Sequence, residues 1–409
     1  MIVKRTINSL IFLSLILIPF QDSAFVDSPL GFLGIYLTTL PLLFAMCIDY
    51  GVKILNNAKI NTVLLISILY CFVVSFVIGF CYFGVNIPTE GVKKTLTIPL
   101  LIIVYFYLAK KIVKIDILFT LNALKCCLII CVMSVVFWDF LNISDNFFLH
   151  YTSGFSRFSG YTREPSWFCA LTQFCSLVIL FFDRKKSIRM LSFVVFVIVT
   201  VGGGSKGALI SALLSLVLFV FVYTKSIVIK YFIIFLIVCL FSFIVEGLSI
   251  LFSNDIEHFT SFATRTSTIL SSVFVIVKYP LGCGMIAANN ITLDEIFNAF
   301  NVIENFLGIG INSKEIENYF IGNIYSNGLG IKSFLLQYSV YFGWPFVIFI
   351  IIVMKKALVS FKNDASCMYL LIFTFISYLC YANFSYIGCV IIGLLIKKYN
   401  LITIIKREH

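Results

Sequence analysis

Apolar residues in this chain run in long blocks, separated by short stretches that are basic or polar. Blocks of about 17 to 25 apolar residues are long enough to cross a bilayer as helices. The pattern predicts twelve of them: 7–20, 29–48, 61–82, 95–113, 117–141, 166–182, 188–202, 206–224, 228–252, 331–354, 367–381 and 384–397. The first block, behind Lys4-Arg5, has the shape of a secretion signal. No small-x-small cleavage site follows it, so it is read as a retained helix. Between the blocks, 83–94 and 142–165 are short polar connections. Residues 253–330 form a longer one with amphipathic pieces at Thr266–Lys278 and Leu293–Phe306. A connection of that length is commonly functional, and it reads as a small helical cap. The organisation expected is a membrane domain over 1–252, a large external loop over 253–330, and a second membrane portion over 331–409.

Composition strengthens the membrane reading. Of 409 residues, 61% are hydrophobic and 12% charged, with a mean hydropathy of +1.06. Soluble domains are roughly half apolar and a quarter charged. No polar stretch is long enough for a soluble enzyme domain of about 100 residues, which excludes that class.

The net charge of +11 sorts by loop instead of forming a nucleic-acid surface. Alternate loops carry 20 of the 30 basic residues, from Lys4 and Arg5 through Arg184, Lys185, Lys186 and Arg189 to Lys397, Lys398, Lys406 and Arg407. Excess Lys and Arg marks the cytoplasmic side, which puts both termini in the cytoplasm and 142–165 and 253–330 outside. The 13 cysteines lie mostly inside apolar blocks, where they act as small hydrophobes. Cys81 and Cys283 lie toward the outer face, the one place where a disulfide is open. No Cys/His spacing suits a metal, and none is expected.

Candidate chemistry gathers on the outer face. Arg157-Phe158-Ser159-Gly160-Tyr161-Thr162-Arg163-Glu164-Pro165 leads into block 166–182. Pro165 suits a first helical turn, and Glu164 meets the positive end of the helix dipole. Glu164 is therefore either a helix cap or a functional carboxylate. Gly202-Gly203-Gly204-Ser205-Lys206-Gly207 opens the block at 206–224. Asn327-Gly328-Leu329-Gly330-Ile331-Lys332-Ser333 opens the one at 331–354. A cation at a helix N-terminus is disfavoured by about 0.3–1 kcal/mol. Three such cations on the face that membrane proteins deplete of charge call for an anion such as a phosphate or diphosphate. The alternatives are snorkelling to headgroups and, at Gly202–Gly207, a plain tight turn. Arg265 either binds the same anion or pairs with Glu257. His258 is a candidate base or a surface histidine.

Taken in order, these motifs resemble the bacterial O-antigen polymerase (Wzy) family. Arg157-Phe158-Ser159-Gly160 with Arg163-Glu164-Pro165 resembles its R-x-x-G…EP signature. Ser205-Lys206-Gly207-Ala208 is similar to the S-R-G-A turn shared with O-antigen ligases, with Lys206 where arginine is usual. Arg265 with Pro280-Leu281-Gly282-Cys283-Gly284 resembles the Arg…P-x-G-x-G element, and Asn327 through Gly343 resembles the last outer segment. The histidine of the ligases is replaced by Asn327, which favours polymerase over ligase.

The resemblance implies an all-α polytopic membrane protein of about twelve spans with one large helical periplasmic loop, a GT-C-like glycosyltransferase architecture in the bacterial inner membrane. It implies transfer of a glycan from one undecaprenyl diphosphate carrier to a lipid-linked repeat unit, without cofactor or metal. Membrane lipids and a chain-length regulator would be its other partners, and nucleic acid would not. Arg157, Arg163, Lys206 and Arg265 would hold the leaving diphosphate, with Gly160, Ser205, Gly282, Asn327 and Lys332 lining the site. Glu164, or else His258, would deprotonate the acceptor. A flippase for the same lipid is the alternative from another class. It needs charge within the helices, where Lys125 stands alone.

Overall fold

The computed structural model describes residues 2–21, 36–54, 62–136, 160–162, 165–203, 205–232, 235, 261–307, 331, 333–382 and 386–408, and every regular element among them is helical. In chain order these are α1 (Ile2–Ile16), a 3-10 turn Ile18–Phe20, α2 (Thr39–Ile54), α3 (Thr62–Phe83), α4 (Thr89–Lys114) and α5 (Ile117–Val136). Next come α6 (Pro165–Phe182), α7 (Lys186–Gly202), α8 (Lys206–Tyr223), α9 (Ser261–Lys278), α10 (Gly284–Asp294) and α11 (Ile296–Leu307). The chain ends with α12 (Phe334–Ser360), α13 (Ala365–Cys380) and α14 (Tyr386–Glu408).

The helices other than α9, α10 and α11 fall on the predicted apolar blocks, and the block 228–252 lies mostly outside the described residues. Among the described residues, five are long and apolar enough to cross a membrane: Ile66–Phe83, Gly91–Lys114, Ile117–Val136, Lys206–Tyr223 and Phe334–Ser360. Thr39–Gly51, Ser166–Phe182 and Ala365–Cys380 are shorter apolar helices, so helix length alone does not reach twelve spans. Cys81 and Cys283 are both free. Cys283 is buried and donates its thiol to Val340 O at 3.2 Å, so the disulfide left open by the sequence is not formed.

The chain divides into two compact units. One comprises Met1–Asn61, Thr97–Leu216 and Leu358–His409; the other comprises Thr62–Leu96 and Val217–Ala357. In the first, α6 is the central helix. Phe168, Cys169, Phe174, Cys175, Leu177, Val178 and Ile179 are all buried, as are its polar Thr172, Gln173 and Ser176. A helix apolar on every side belongs in an interior. Leu191, Val194, Ile198 and Val201 on α7 are instead exposed, a surface suited to lipid.

Contacts within this unit sort its helix ends into two sets. At one end Lys111 pairs with Asp49 at 3.0 Å, Lys398 with Asp364 at 3.8 Å, and Lys397 donates to Ile115 O. At the other, Phe20 packs on Tyr161 with ring centroids 4.7 Å apart. There Gly160 faces Ser134 and Phe168, Gly203 faces Cys169, and Gly207 faces Tyr381. The basic ends are gathered together, and the ends bearing the sequence motifs are gathered opposite them.

The second unit is built on α3. Its Ser75 Oγ accepts from Met285 N at 3.0 Å, and Tyr82 OH donates to Asp294 Oδ2 at 2.5 Å. Helix α10 therefore lies along α3 with Gly284 to Leu293 largely buried. Two helices touch this closely only where side chains are small, and Gly79 and Gly91 both face Ile286. The predicted amphipathic pieces correspond to α9 and α11. Helix α10 between them was not anticipated, and it runs beside the apolar window Ile66–Phe83 of α3.

Helix α12 is broken in its first half. Gly343 takes φ 63°, ψ −152°, a region open to glycine at little cost. An unbroken helix would bond Trp344 N–H to Val340 O four residues back. Here Trp344 N donates to Pro280 O at 2.8 Å, and Val340 O accepts from Cys283 N at 2.9 Å. The segment Pro280–Gly284 thus takes up both groups that the break releases. Gly282, at φ 85°, has no room for a Cβ: it would lie 2.7 Å from Gly343 N and Phe342 N. Pro345 follows as a helix-starting residue with no N–H to satisfy.

Candidate functional site

The structure divides the predicted site residues between the two units. In the first, Gly160, Ser205 and Lys206 lie at the motif end. In the second, Gly282 lies in the segment that bridges the broken α12, and Arg265 belongs to α9. Arg157, Arg163, Glu164, His258, Asn327 and Lys332 lie outside the described residues, as does the Arg265 side chain.

Gly160 takes φ 51°, and a Cβ there would stand 2.6 Å from Ser134 Oγ and 2.7 Å from Phe168. Both the turn and the packing therefore require glycine just before α6. Ser205 caps α8, accepting from Ala208 N at 3.4 Å through Oγ and from Leu209 N at 3.1 Å through its carbonyl. It serves as the N-cap of α8. Lys206 follows at the first helical position, half-buried.

The two helix starts are tied together by residues that sequence reasoning missed. Gln173, fully buried, donates through Nε2 to Thr200 Oγ1 at 2.8 Å and to Ala208 O at 3.4 Å. Its Oε1 accepts from Tyr381 OH at 2.7 Å. Tyr381 in turn packs on Gly207, where a Cβ would lie 2.6 Å from the tyrosine Cβ. One amide thus joins α6, α7, α8 and the end of α13. The available signal was a lone glutamine in an apolar block, since polar groups at membrane depth are retained for a reason.

In front of this network opens a cleft lined by Gln21, Thr162, Ser166, Trp167 and Tyr381 over an apolar floor including Ile18 and Leu171. Its volume is about 30 Å³, room for a water-sized group or two. Positions 163 and 164 fall in sequence between its lining residues Thr162 and Ser166. Gln21 Nε2 also reaches Tyr105 OH at 3.4 Å.

Charge at the opposite end is paired. Lys125 Nζ lies 2.5 Å from Asp183 Oδ2, whose side chain is 4% exposed. Burial alone would raise the Asp183 carboxyl. The bonds from Lys125 and from the Lys185 N–H outweigh it and hold the carboxyl below its ordinary range. The lysine that stood alone in its apolar block is therefore part of an ion pair. Among the described residues no group of His, Cys, Asp or Glu could hold a metal ion.

Among the described residues these features define an all-helical protein with five helices long and apolar enough to cross a membrane, and a cleft in its first unit at the end opposite the basic helix ends. No protein-family model matches the sequence, and no curated protein matches it.

Proposed function

We propose that the protein is a lipid-linked glycan polymerase of the O-antigen polymerase type. In this reading it crosses the inner membrane about twelve times with both termini in the cytoplasm. It transfers a glycan from one undecaprenyl diphosphate onto another lipid-linked repeat unit at the periplasmic face. The observation that carries the reading is a cleft at the end away from the basic loops, lined by Thr162 and Ser166 at the start of α6 and by Tyr381, against which Gly207 of the α8 start packs. Arg157, Arg163, Lys206 and Arg265 stabilise the departing diphosphate by charge-assisted hydrogen bonds that strengthen as charge develops. Glu164 takes the proton of the acceptor hydroxyl, with His258 as the other candidate. The pairing of Lys125 with Asp183 weakens the flippase alternative, while the broken α12 favours it, since discontinuous helices recur in transporters.

Incubating the purified protein with undecaprenyl diphosphate repeat units and resolving products by length tests the reading. A ladder of products is expected. No ladder, together with movement of the same lipid across liposomes, would establish the flippase instead.

A further inference from the structure

The second unit holds a notch that the reading above does not use. It is bounded by Thr268 on α9, Asn289 and Thr292 on α10, and Gln337 and Tyr341 on α12, with Ile331 beside it. Thr292 is 2% exposed, and its Oγ1 has no hydrogen-bond partner among the described residues. A buried hydroxyl left so costs about 1–3 kcal/mol, which an incoming group can recover. Gln337 donates through Nε2 to Tyr341 OH at 2.8 Å. That bond fixes the amide and leaves its Oε1 as the acceptor. Asn289 is half-buried, so the notch opens on its side. None of the described lining residues is charged, and the volume is about 10 Å³, the size of one oxygen atom with its hydrogen. Ala288 and Ile331 complete the lining as its apolar part.

From this geometry we infer that the notch is a subsite for one hydroxyl group of a neutral sugar. A hydroxyl both donates and accepts. It donates to Gln337 Oε1 and accepts from Thr292, while Ala288 and Ile331 supply the apolar lining that few-contact polar pockets use for orientation. A phosphate finds no cation among the described lining groups. On the polymerase reading, on which this inference rests, the sugar is the acceptor end of a lipid-linked unit.

Saturation-transfer NMR on the purified full-length protein tests this without turnover, using glucose, galactose, rhamnose and N-acetylglucosamine as separate probes. At least one should receive transferred magnetisation. Thr292→Val, which keeps the shape and removes the hydroxyl, should weaken that sugar's binding roughly threefold to tenfold. Asn289→Ala, at the half-buried rim, should weaken it in the same direction. Equal binding by wild type and Thr292→Val, or no transfer from any probe, overturns the subsite. So does a Thr292→Val protein whose melting temperature alone changes, for then the notch holds only water. Sugar binding that depends on Thr292 in a protein that makes no polymer keeps the subsite and sinks the polymerase reading. Polymer made by Thr292→Val at an unchanged acceptor KM sinks the subsite alone.

Discussion

The cleft before α6 and the turn before α10 solve the same problem by opposite means. Each places irregular backbone beside apolar helices, where unpaired N–H and C=O groups are costly. At the cleft, side chains do the joining: Gln173, Thr200 and Tyr381 fasten four helices through one amide. At the turn, backbone bonds backbone, as Pro280 and Cys283 exchange partners with Trp344 and Val340. The first arrangement depends on side-chain chemistry and is sensitive to polar substitutions. The second tolerates those and is sensitive to any Cβ at Gly282 or Gly343.

The largest expected effect concerns activity. Arg163→Ala and Glu164→Gln should each lower polymer formation by about 100-fold or more, the scale of losing a transition-state donor, with membrane insertion unchanged. Normal ladders from both would reduce Arg163-Glu164 to a helix cap. Next, Gly282→Ala should lower stability by about 3 kcal/mol or more, since it adds both positive-φ strain and overlap with backbone. Thermal unfolding in detergent reads this, and a shift below about 1 kcal/mol would show that the bridge at α12 gives way.

Asp183→Asn should cost about 2 kcal/mol by leaving Lys125 uncompensated, less than a fully buried pair loses because the lysine is partly exposed. A Lys125→Met/Asp183→Asn double variant should recover most of it. The same carboxyl sets an acid limit. Its pKa is lower folded than unfolded, so its contribution is complete above the unfolded value of about 3.9 and is lost as pH falls through the folded one. In wild type, melting temperature should therefore fall more steeply below pH 4 than in the double variant.

Gln173→Leu strands the Tyr381 hydroxyl and leaves Thr200 only its bond to Phe196 O, and should cost about 1–3 kcal/mol. Thr292→Val breaks no bond, removes an unpartnered buried hydroxyl, and should instead raise stability by about 1–3 kcal/mol. Similar losses from the two would erase the distinction drawn between cleft and notch. Least of all, Lys278→Ala should leave the melting temperature unchanged. Its bond to Glu295 at 2.7 Å involves a lysine side chain that is 61% exposed, and such pairs contribute little.

The helices were legible because a bilayer-length apolar block is a strong signal wherever it lies. Pro165 as a helix start was legible too, since such chemistry is local, whereas Gly160 entered only through the family resemblance. The Gln173 network was not, because its partner Tyr381 lies 208 positions away and no periodicity links them. Helix α10 was hidden by Gly284, Asn289 and Asn290, residues that read as loop until α3 covers them. The break in α12 was signalled by Gly343-Trp344-Pro345 but masked by the apolar run around it.

That break also constrains biogenesis. Chains emerge N-terminus first, so Pro280–Gly284 is made before the α12 residues it must join. Until then Pro280 O and Cys283 N have no α12 partner. Helix α3, made earlier still, holds their neighbours: Tyr70 OH donates to Leu281 O at 2.9 Å, and Ser75 receives Met285 N. The turn therefore has a surface to rest on before α12 is complete.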